Sequence, residues 1–450
     1  MKRLSAYIFL FFLLLFAQVA MAQPYGNEWI DFSKSYYKFK VGTEGVYRIS
    51  KAVLDAAGVP QANGSQYILY CNGQEVPLYV TTSGAFGAND YIEFFGKPCS
   101  GEPDTRLFAN PAWQADVRRS LFTDTAAYFL TVNTAPNNRR YTSTPNTIVN
   151  PPAPLSYCLA TNEVHYKAFH SPGKHTVNGQ PIFFSEFNDG EGFMDAYRFT
   201  NVPFNLQLNT PNVSPQQNAT LQLSLLRNTY NVTSESVKIY INNQQIADST
   251  IGADATKHFN LSFPASLLSA NNSVNITATV TGLSPYDIMG CSYLYIRYPR
   301  NMDVSALDYF KFELTASTGS QYIELQNFNH GGIAPKLYDV TNQRWYSGDI
   351  SVAGLTRFLL LPSFTDRQLI LISDNSDQLY RLQTAKTVQF TDYTASGNSA
   401  EYMIVSSKSY AAITNGRNYV QDYSNYRSSA AGGSRNCLTA YVEDLYDQFA

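Results

Sequence analysis

The chain has 450 residues, enough for about two to four domains. Charged side chains make up only 15% and aromatic ones 14%, and 32 basic against 35 acidic residues leave a net charge of −3. That balance excludes a disordered tail, a coiled coil and a basic nucleic-acid-binding protein.

At the N-terminus Lys2 and Arg3 precede an apolar run from Ala6 to Phe16, and Ala20-Met21-Ala22 supplies a small-x-small cleavage site. This is the layout of a secretory signal peptide over residues 1–22. The run is too short for a membrane span. Without Lys2 and Arg3 the mature chain carries 30 basic and 35 acidic residues, near −5. Export, to the outer membrane, the cell surface or the medium, is the expectation.

Residues 23–100 read as a first β unit. Tyr37, Phe39 and Val41 alternate there with Lys38, Lys40 and Gly42, the period-two pattern of a half-buried strand. Ser50 before KAVLDAA, with Gly58 after it, predicts a short capped helix. Residues 101–195 are irregular, and Pro151, Pro152 and Pro154 mark a connector. Residues 196–300 carry the cleanest alternation: Leu221, Leu223 and Leu225; Val237, Ile239 and Ile241; Val274, Ile276, Ala278 and Val280. They read as a β-sandwich. Residues 303–398 read as a further β unit.

At about residue 400 the pattern changes. A dense apolar strand, Tyr402 to Val405, precedes a helix predicted from Asn418 to Ser429, where Tyr419, Val420, Tyr423 and Tyr426 recur at spacings of three and four. Gly432-Gly433 ends it, and Leu438 to Val442 is a second strand. Strand, helix, strand is the opening of a parallel α/β sheet. Such an opening cannot bury both faces alone. Residues 400–450 are therefore expected to pack poorly unless they lean on the 303–398 unit.

Chemical motifs are scarce. There is no GxSxG, HExxH, phosphate-binding loop or GxGxxG. His165, His170 and His175 are five apart, which converges on neither a helix face nor a strand face; exposed loop histidines are the plainer reading. His330-Gly331-Gly332 is similar to an esterase oxyanion loop but has no nucleophile elbow, so it reads as a turn. Asp374 with Asp377, and Asp189 with Glu191, could touch a structural calcium ion. Neither pair has the ligand series of a calcium loop, and solvated turns account for both. Cys71, Cys99, Cys158, Cys291 and Cys437 are widely spaced without CxxC, so zinc and dithiol redox sites are unsupported, and an odd count leaves at least one thiol unpaired within the chain. Trp29, Trp113 and Trp345 suit a sandwich core better than a sugar platform. Asn-x-Ser/Thr triplets such as Asn231-Val232-Thr233 carry no message.

Several strings resemble one family, the gingipain-type cysteine peptidases of Bacteroidetes, and within it the subgroup that serves type IX secretion as sortase or C-terminal signal peptidase. They are GNEWIDFSKSYYKFKVGTEGVYRIS (Gly26 to Ser50), DYIEFFGKPCSGEPDTRLF (Asp90 to Phe108), DGEGFMDAYRF (Asp189 to Phe199) and YLYIRYPRNM (Tyr293 to Met302). AEYMIVSSKSY (Ala400 to Tyr410) and AYVEDLYDQFA (Ala440 to Ala450) resemble the first two strands of the peptidase domain.

The resemblance implies a mainly β chain: serial β-sandwich or β-barrel-like domains followed by the start of a caspase-like α/β domain at 400–450. It implies an N-terminal region of a secreted cysteine endopeptidase whose catalytic Cys and His lie beyond residue 450. No catalytic, cofactor-binding or metal-binding residue is therefore assigned within the chain, and Cys437 reads as a strand cysteine. The implied partners are protein substrates with C-terminal secretion signals, outer-membrane components of type IX secretion and cell-surface polysaccharide, with no nucleic acid. Two other readings stand beside it. One is a stand-alone β-sandwich surface protein that binds glycans or partner proteins. The other is a chaperone-like prodomain with a protease-sensitive linker at 392–399, around Ser396-Gly397-Asn398-Ser399.

Overall fold

A computed structural model describes residues 26–135, 137–178, 180–197, 203–229, 234–268, 273–281, 288–304 and 306–449. The signal peptide expected at 1–22, Asn231-Val232-Thr233 and the last two residues of Asp189 to Phe199 lie outside the described residues. The chain is mainly β, in several sheets with few helices. Among the described residues no helix is long and apolar enough to cross a membrane.

The alternation translates directly into strands. In Tyr36–Val41, Tyr37, Phe39 and Val41 are buried while Lys40 is exposed. Leu221, Leu223 and Leu225, and Val237, Ile239 and Ile241, are fully buried. The predicted short helix is Lys51–Ala56, with the Ser50 hydroxyl accepting from Val53 N at 3.4 Å and Gly58 in the left-handed region that favours glycine at a helix C-terminus.

Three sandwiches follow from the pairing. The first has a five-stranded sheet in the order Lys386–Val388, Tyr36–Val41, Ala126–Val132, Tyr67–Cys71, Gln74–Val76. Its second sheet has the order Leu379–Arg381, Gly45–Ser50, Tyr91–Gly96, Tyr79–Val80. Phe39, Ile49, Leu69, Ile92, Phe94 and Leu130 meet between them. A nine-stranded sheet then serves two sandwiches at once. Its strands Ala255–Pro264, Asn218–Asn228, Ile288–Asn301 and Tyr157–His165 share a core with the sheet built on Phe204–Asn209, Ser273–Thr281, Glu235–Ile241 and Gln244–Ile251. Its strands Tyr309–Leu314, Arg367–Ile372 and Lys336–Asp339 cover the pair Gln321–Gln326 and Leu355–Leu360. The two halves join at one bridge, Glu313 opposite Leu159.

The compositional boundaries do not follow sheet membership. Ala126–Val132, inside 101–195, is the central strand of the first sheet. Leu379–Arg381 and Lys386–Val388 return from the 303–398 stretch to complete the first sandwich. Composition registers that a segment is a strand; it carries no record of which distant strand it pairs with.

The first and third sandwiches pack sheet on sheet. Val46, Phe95 and Leu379 meet Tyr338, Ile370 and Ile372. Successive strand residues face opposite ways, so Ile92 and Phe94 fill one core while Glu93 and Phe95 face the junction. Glu93, with 1% of its surface exposed, is the polar centre of that junction. Its Oε1 accepts from Arg48 Nε at 2.7 Å; its Oε2 accepts from Lys336 Nζ at 3.1 Å and from the Tyr338 hydroxyl. Arg48 also pairs with Asp374 at 2.5 Å and lies 3.9 Å from the Tyr91 ring. Burial, and then the adjacent carboxylate, raises the Tyr338 hydroxyl well above its usual range, so it stays a donor. A buried carboxylate is tolerated when its lone pairs are filled this completely. Asp374 does sit in a turn with its side chain partly exposed, and from there it reaches into the junction; Asp377 is exposed.

The C-terminal segment forms the predicted strand–helix–strand. Tyr402–Ser406 pairs in parallel with Cys437–Tyr441, and Tyr419–Ser428 runs between them, capped by the Asn418 side chain on Gln421 N at 3.0 Å. Helix Val442–Phe449 follows. The second strand ends one residue earlier than expected because Val442 opens that helix. Met403 is 57% and Val405 56% exposed, so this small sheet leaves an apolar face uncovered. The unit leans on the first sandwich and on the end of the 303–398 stretch. Asp447 pairs with Lys38 at 2.5 Å, Gln448 Nε2 donates to Thr391 O at 3.1 Å, and Phe449 stacks near Tyr393.

Two outcomes test this arrangement. Glu93→Ala removes the buried carboxylate that half-buried Arg48 and Lys336 share, leaving them only Asp374, and is expected to cost about 3 kcal/mol, read as a lower urea midpoint; a midpoint equal to that of the parent chain removes the junction from its central place. Backbone amides of Tyr402–Ser406 should exchange orders of magnitude faster than those of Leu221–Leu225, because little apolar surface covers them. Equal protection contradicts the uncovered sheet.

Candidate functional site

The sequence-flagged groups scatter. Cys158 and Cys291 are buried in separate cores, and their Sγ atoms donate to Arg300 O at 3.7 Å and Tyr293 O at 3.3 Å. Burial pushes the Cys71 thiol up to about 11 and Cys158 up to about 12, so neither is a ready thiolate. Cys437 sits half-buried at the start of its strand. Among the described residues no three of His, Cys, Asp and Glu converge as metal ligands. Asp189 Oδ1 accepts from Gly190 N at 2.9 Å and Thr256 N at 2.6 Å, and Glu191 Oε2 from Asn188 N at 2.8 Å; both carboxylates fasten backbone. His330 Nδ1 accepts from Gly332 N at 3.1 Å, closing the expected turn. Trp29 lies among Tyr36, Tyr70, Phe129 and Phe390, and Trp345 meets Tyr79 edge-on. His170 is exposed, as expected, with its ring edge-on to Phe193; the His175 side chain lies outside the description.

Two histidines do find partners that spacing could not reveal. Ser224 and His258 are directly opposite on neighbouring strands, with Oγ 2.6 Å from Nδ1. Nε2 of His258 lies 3.1 Å from Ala112 O, so it donates there and the serine donates to Nδ1. Ser224 is fully buried and cannot reach a substrate; the pair is a cross-strand fastening. His165 is not an exposed loop histidine. It stands at the end of Tyr157–His165 with Nδ1 2.5 Å from Asp116 Oδ2, and with Nε2 3.3 Å from Glu163 Oε1 at ion-pair distance without hydrogen-bond alignment. Arg118, stacked 3.8 Å from the Tyr295 ring, and Arg119 approach Glu163 from the 114–120 loop, and Lys311 adds its field. Burial opposes the Glu163 charge, and His165, Lys311 and Arg118 more than offset it, giving about 2. Burial likewise opposes the His165 charge, and Asp116 and Glu163 outweigh it, raising its pKa. Held between Asp116 and Glu163, His165 ties the 114–120 loop to the nine-stranded sheet.

A cleft of about 600 Å³ lies between the first sandwich and helix Val442–Phe449. Lys38, Lys40 and Lys386 line it from the sandwich and Lys408 from the α/β unit. Lys38 and Lys386 are directly opposite in the pairing of Tyr36–Val41 with Lys386–Val388, and Lys40 is the next residue on that face. Like charges so placed repel. Helix Val442–Phe449 brings Glu443, Asp444 and Asp447 against them. Asp447 takes Lys38, and Asp444 takes Lys408. Glu443 is occupied by the Ser407 hydroxyl at 2.6 Å and Lys408 N at 3.0 Å. Lys40 and Lys386 have no carboxylate partner among the described residues. The Lys38 and Lys40 stripe was visible in the sequence as the wet face of a strand; Lys386, almost 350 positions away, could not be connected to it.

No family model and no curated protein matches the chain. In structure it is similar to dimeric latent PorU from Porphyromonas gingivalis, with a TM-score of 0.59 at 12% identity, over 92% of this chain and 38% of that one. The chain thus spans about two-fifths of the length of that protein. At this identity the likeness establishes a shared fold. The insecticidal delta-endotoxin Cry8Ea1 from Bacillus thuringiensis (10% identity, 60% of this chain, 42% of that one, TM-score 0.20) and the ANX2 ectodomain from Arabidopsis thaliana (9%, 61%, 80%, 0.23) match too loosely to carry an argument.

The His165 cluster has a definite pH signature. Its folded pKa lies above the ordinary 6.5, so its contribution is complete below that value and is lost as pH rises through the folded pKa. Glu163 acts in the opposite sense: its contribution is complete above 4.5 and is lost as pH falls towards about 2. The cluster is therefore fullest between these values. The melting temperature of the parent chain should fall more steeply above pH 6.5 than that of His165→Gln; parallel curves contradict the assignment.

Proposed function

We propose that the chain is the β-rich N-terminal region of an exported cysteine endopeptidase of the gingipain type, one that serves type IX secretion at the outer membrane by removing C-terminal signals from exported proteins. The observation that carries this reading is the fold likeness to latent PorU over 92% of the chain. Support comes from the parallel pair Tyr402–Ser406 and Cys437–Tyr441, which occurs where the string resemblance puts the first two strands of a peptidase domain. In this reading the three sandwiches position the peptidase and meet substrates. A thiolate attacks the peptide carbonyl and an imidazole moves the proton; an amine of a surface polysaccharide in place of water at the acyl-enzyme stage makes the reaction a transfer. The reacting thiol and imidazole then lie outside residues 26–449, consistent with the raised thiols of Cys71 and Cys158.

Deleting the gene in its own organism should leave exported proteins with their C-terminal signals attached, seen as a mass increase on each and reversed by the intact gene. Unchanged masses sink the reading. A thiol-directed peptidase probe applied to the native protein should label none of Cys71, Cys99, Cys158, Cys291 and Cys437; label on one of these transfers the chemistry to this region.

A further inference from the structure

We propose that the lysine-lined cleft binds an extended acidic peptide, which adds as a further strand to the free edge of Lys386–Val388. The sheet order puts this strand at the end of the five-stranded sheet, and among the described residues no strand pairs with its outer side. Lys386, Thr387, Val388 and Gln389 all line the cleft. Neighbouring strand residues point to opposite faces, so a wall made of four in a row is the edge of the strand, with its backbone donors and acceptors, and not one face of it. An edge of this kind is a template for strand addition.

Charge selects the occupant. Lysines on an edge ordinarily keep a further strand away, and here Lys386 stands opposite Lys38 with Lys40 beside it. A basic strand meets that repulsion, and a neutral one leaves it unrelieved. A strand carrying carboxylates at alternate positions neutralises Lys40 and Lys386, the two lysines of the cleft left without a carboxylate partner among the described residues. The chain itself shows that this wall accepts acidic side chains: Asp447 of helix Val442–Phe449 already occupies Lys38 with both oxygens, at 2.5 and 2.7 Å. The cleft of about 600 Å³ lies open beside that contact. This site rests on the first sandwich and stands whether or not the peptidase reading holds.

The test is fluorescence anisotropy with the full chain and a labelled octapeptide alternating Glu with Thr. Saturable binding is expected. It should weaken at least tenfold in Lys40→Glu/Lys386→Glu and in Lys40→Ala/Lys386→Ala, provided their melting temperatures match that of the parent. A peptide N-methylated at alternate residues, which keeps the charge and removes backbone donors, should also bind at least tenfold more weakly, and a Lys-Thr peptide should not bind. No binding of the Glu-Thr peptide overturns the proposal. So does equal binding of the N-methylated peptide together with tight binding of inorganic polyphosphate, which assigns the lysines to plain anion capture.

Discussion

One buried carboxylate organises this molecule. Glu93 is taken out of water at the meeting of two sheets, and an unpaired charge there would cost more than most single contacts supply. Arg48 answers it from within the first sandwich, while Lys336 and Tyr338 answer it from the third. Each sandwich therefore satisfies a charge that the other would leave exposed to a low dielectric. Apolar contacts around it, Val46 and Phe95 against Ile370 and Ile372, add area but little direction. The hydrogen bonds supply the direction, and they set how the two sheets face each other.

From that junction the remaining architecture follows by shared strands. The third sandwich continues into the second through one sheet, so the orientation of one constrains the other through the twist of Tyr157–His165 and Tyr309–Leu314. Buried arginines mark both cores. Arg367 reaches Gln321 at 2.5 Å in the third, and Arg227 reaches Gly252 O at 3.0 Å in the second. The α/β unit has no comparable anchor. It touches the first sandwich through one helix and a few polar contacts, and its apolar sheet face is open. Its ion pair to the first sandwich, Asp447 with Lys38, makes that contact sensitive to ionic strength.

Particular residues show how far the sequence could be read. Alternation at Leu221 to Leu225 and Val237 to Ile241 placed strands and their buried faces, because period two is a local property of an extended chain. Ser50 and Gly58 placed a helix for the same reason. Asp374 was legible as a turn residue, but not its pairing, because Arg48 is 326 positions away. His165 looked like a loop histidine because Asp116 reaches it from 49 positions away. YIEFFG, Tyr91 to Gly96, is almost wholly buried, since its strand has a core on one side and the junction on the other; local pattern does not say what covers the second face.

The sequence by itself determined the mainly β class, the change to strand–helix–strand near residue 400 and the buried faces of the strands at Tyr37 to Val41, Leu221 to Leu225 and Val237 to Ile241. These depend on neighbours a few residues apart, whose side chains the backbone geometry forces onto known faces. Only the tertiary structure decided that residues 379–388 return to the first sandwich, that Glu93 is the junction charge, and that Lys386 joins Lys38 and Lys40 in one cleft. Those are choices among distant partners, made by desolvation and charge complementarity after the strands exist, and no local pattern records them.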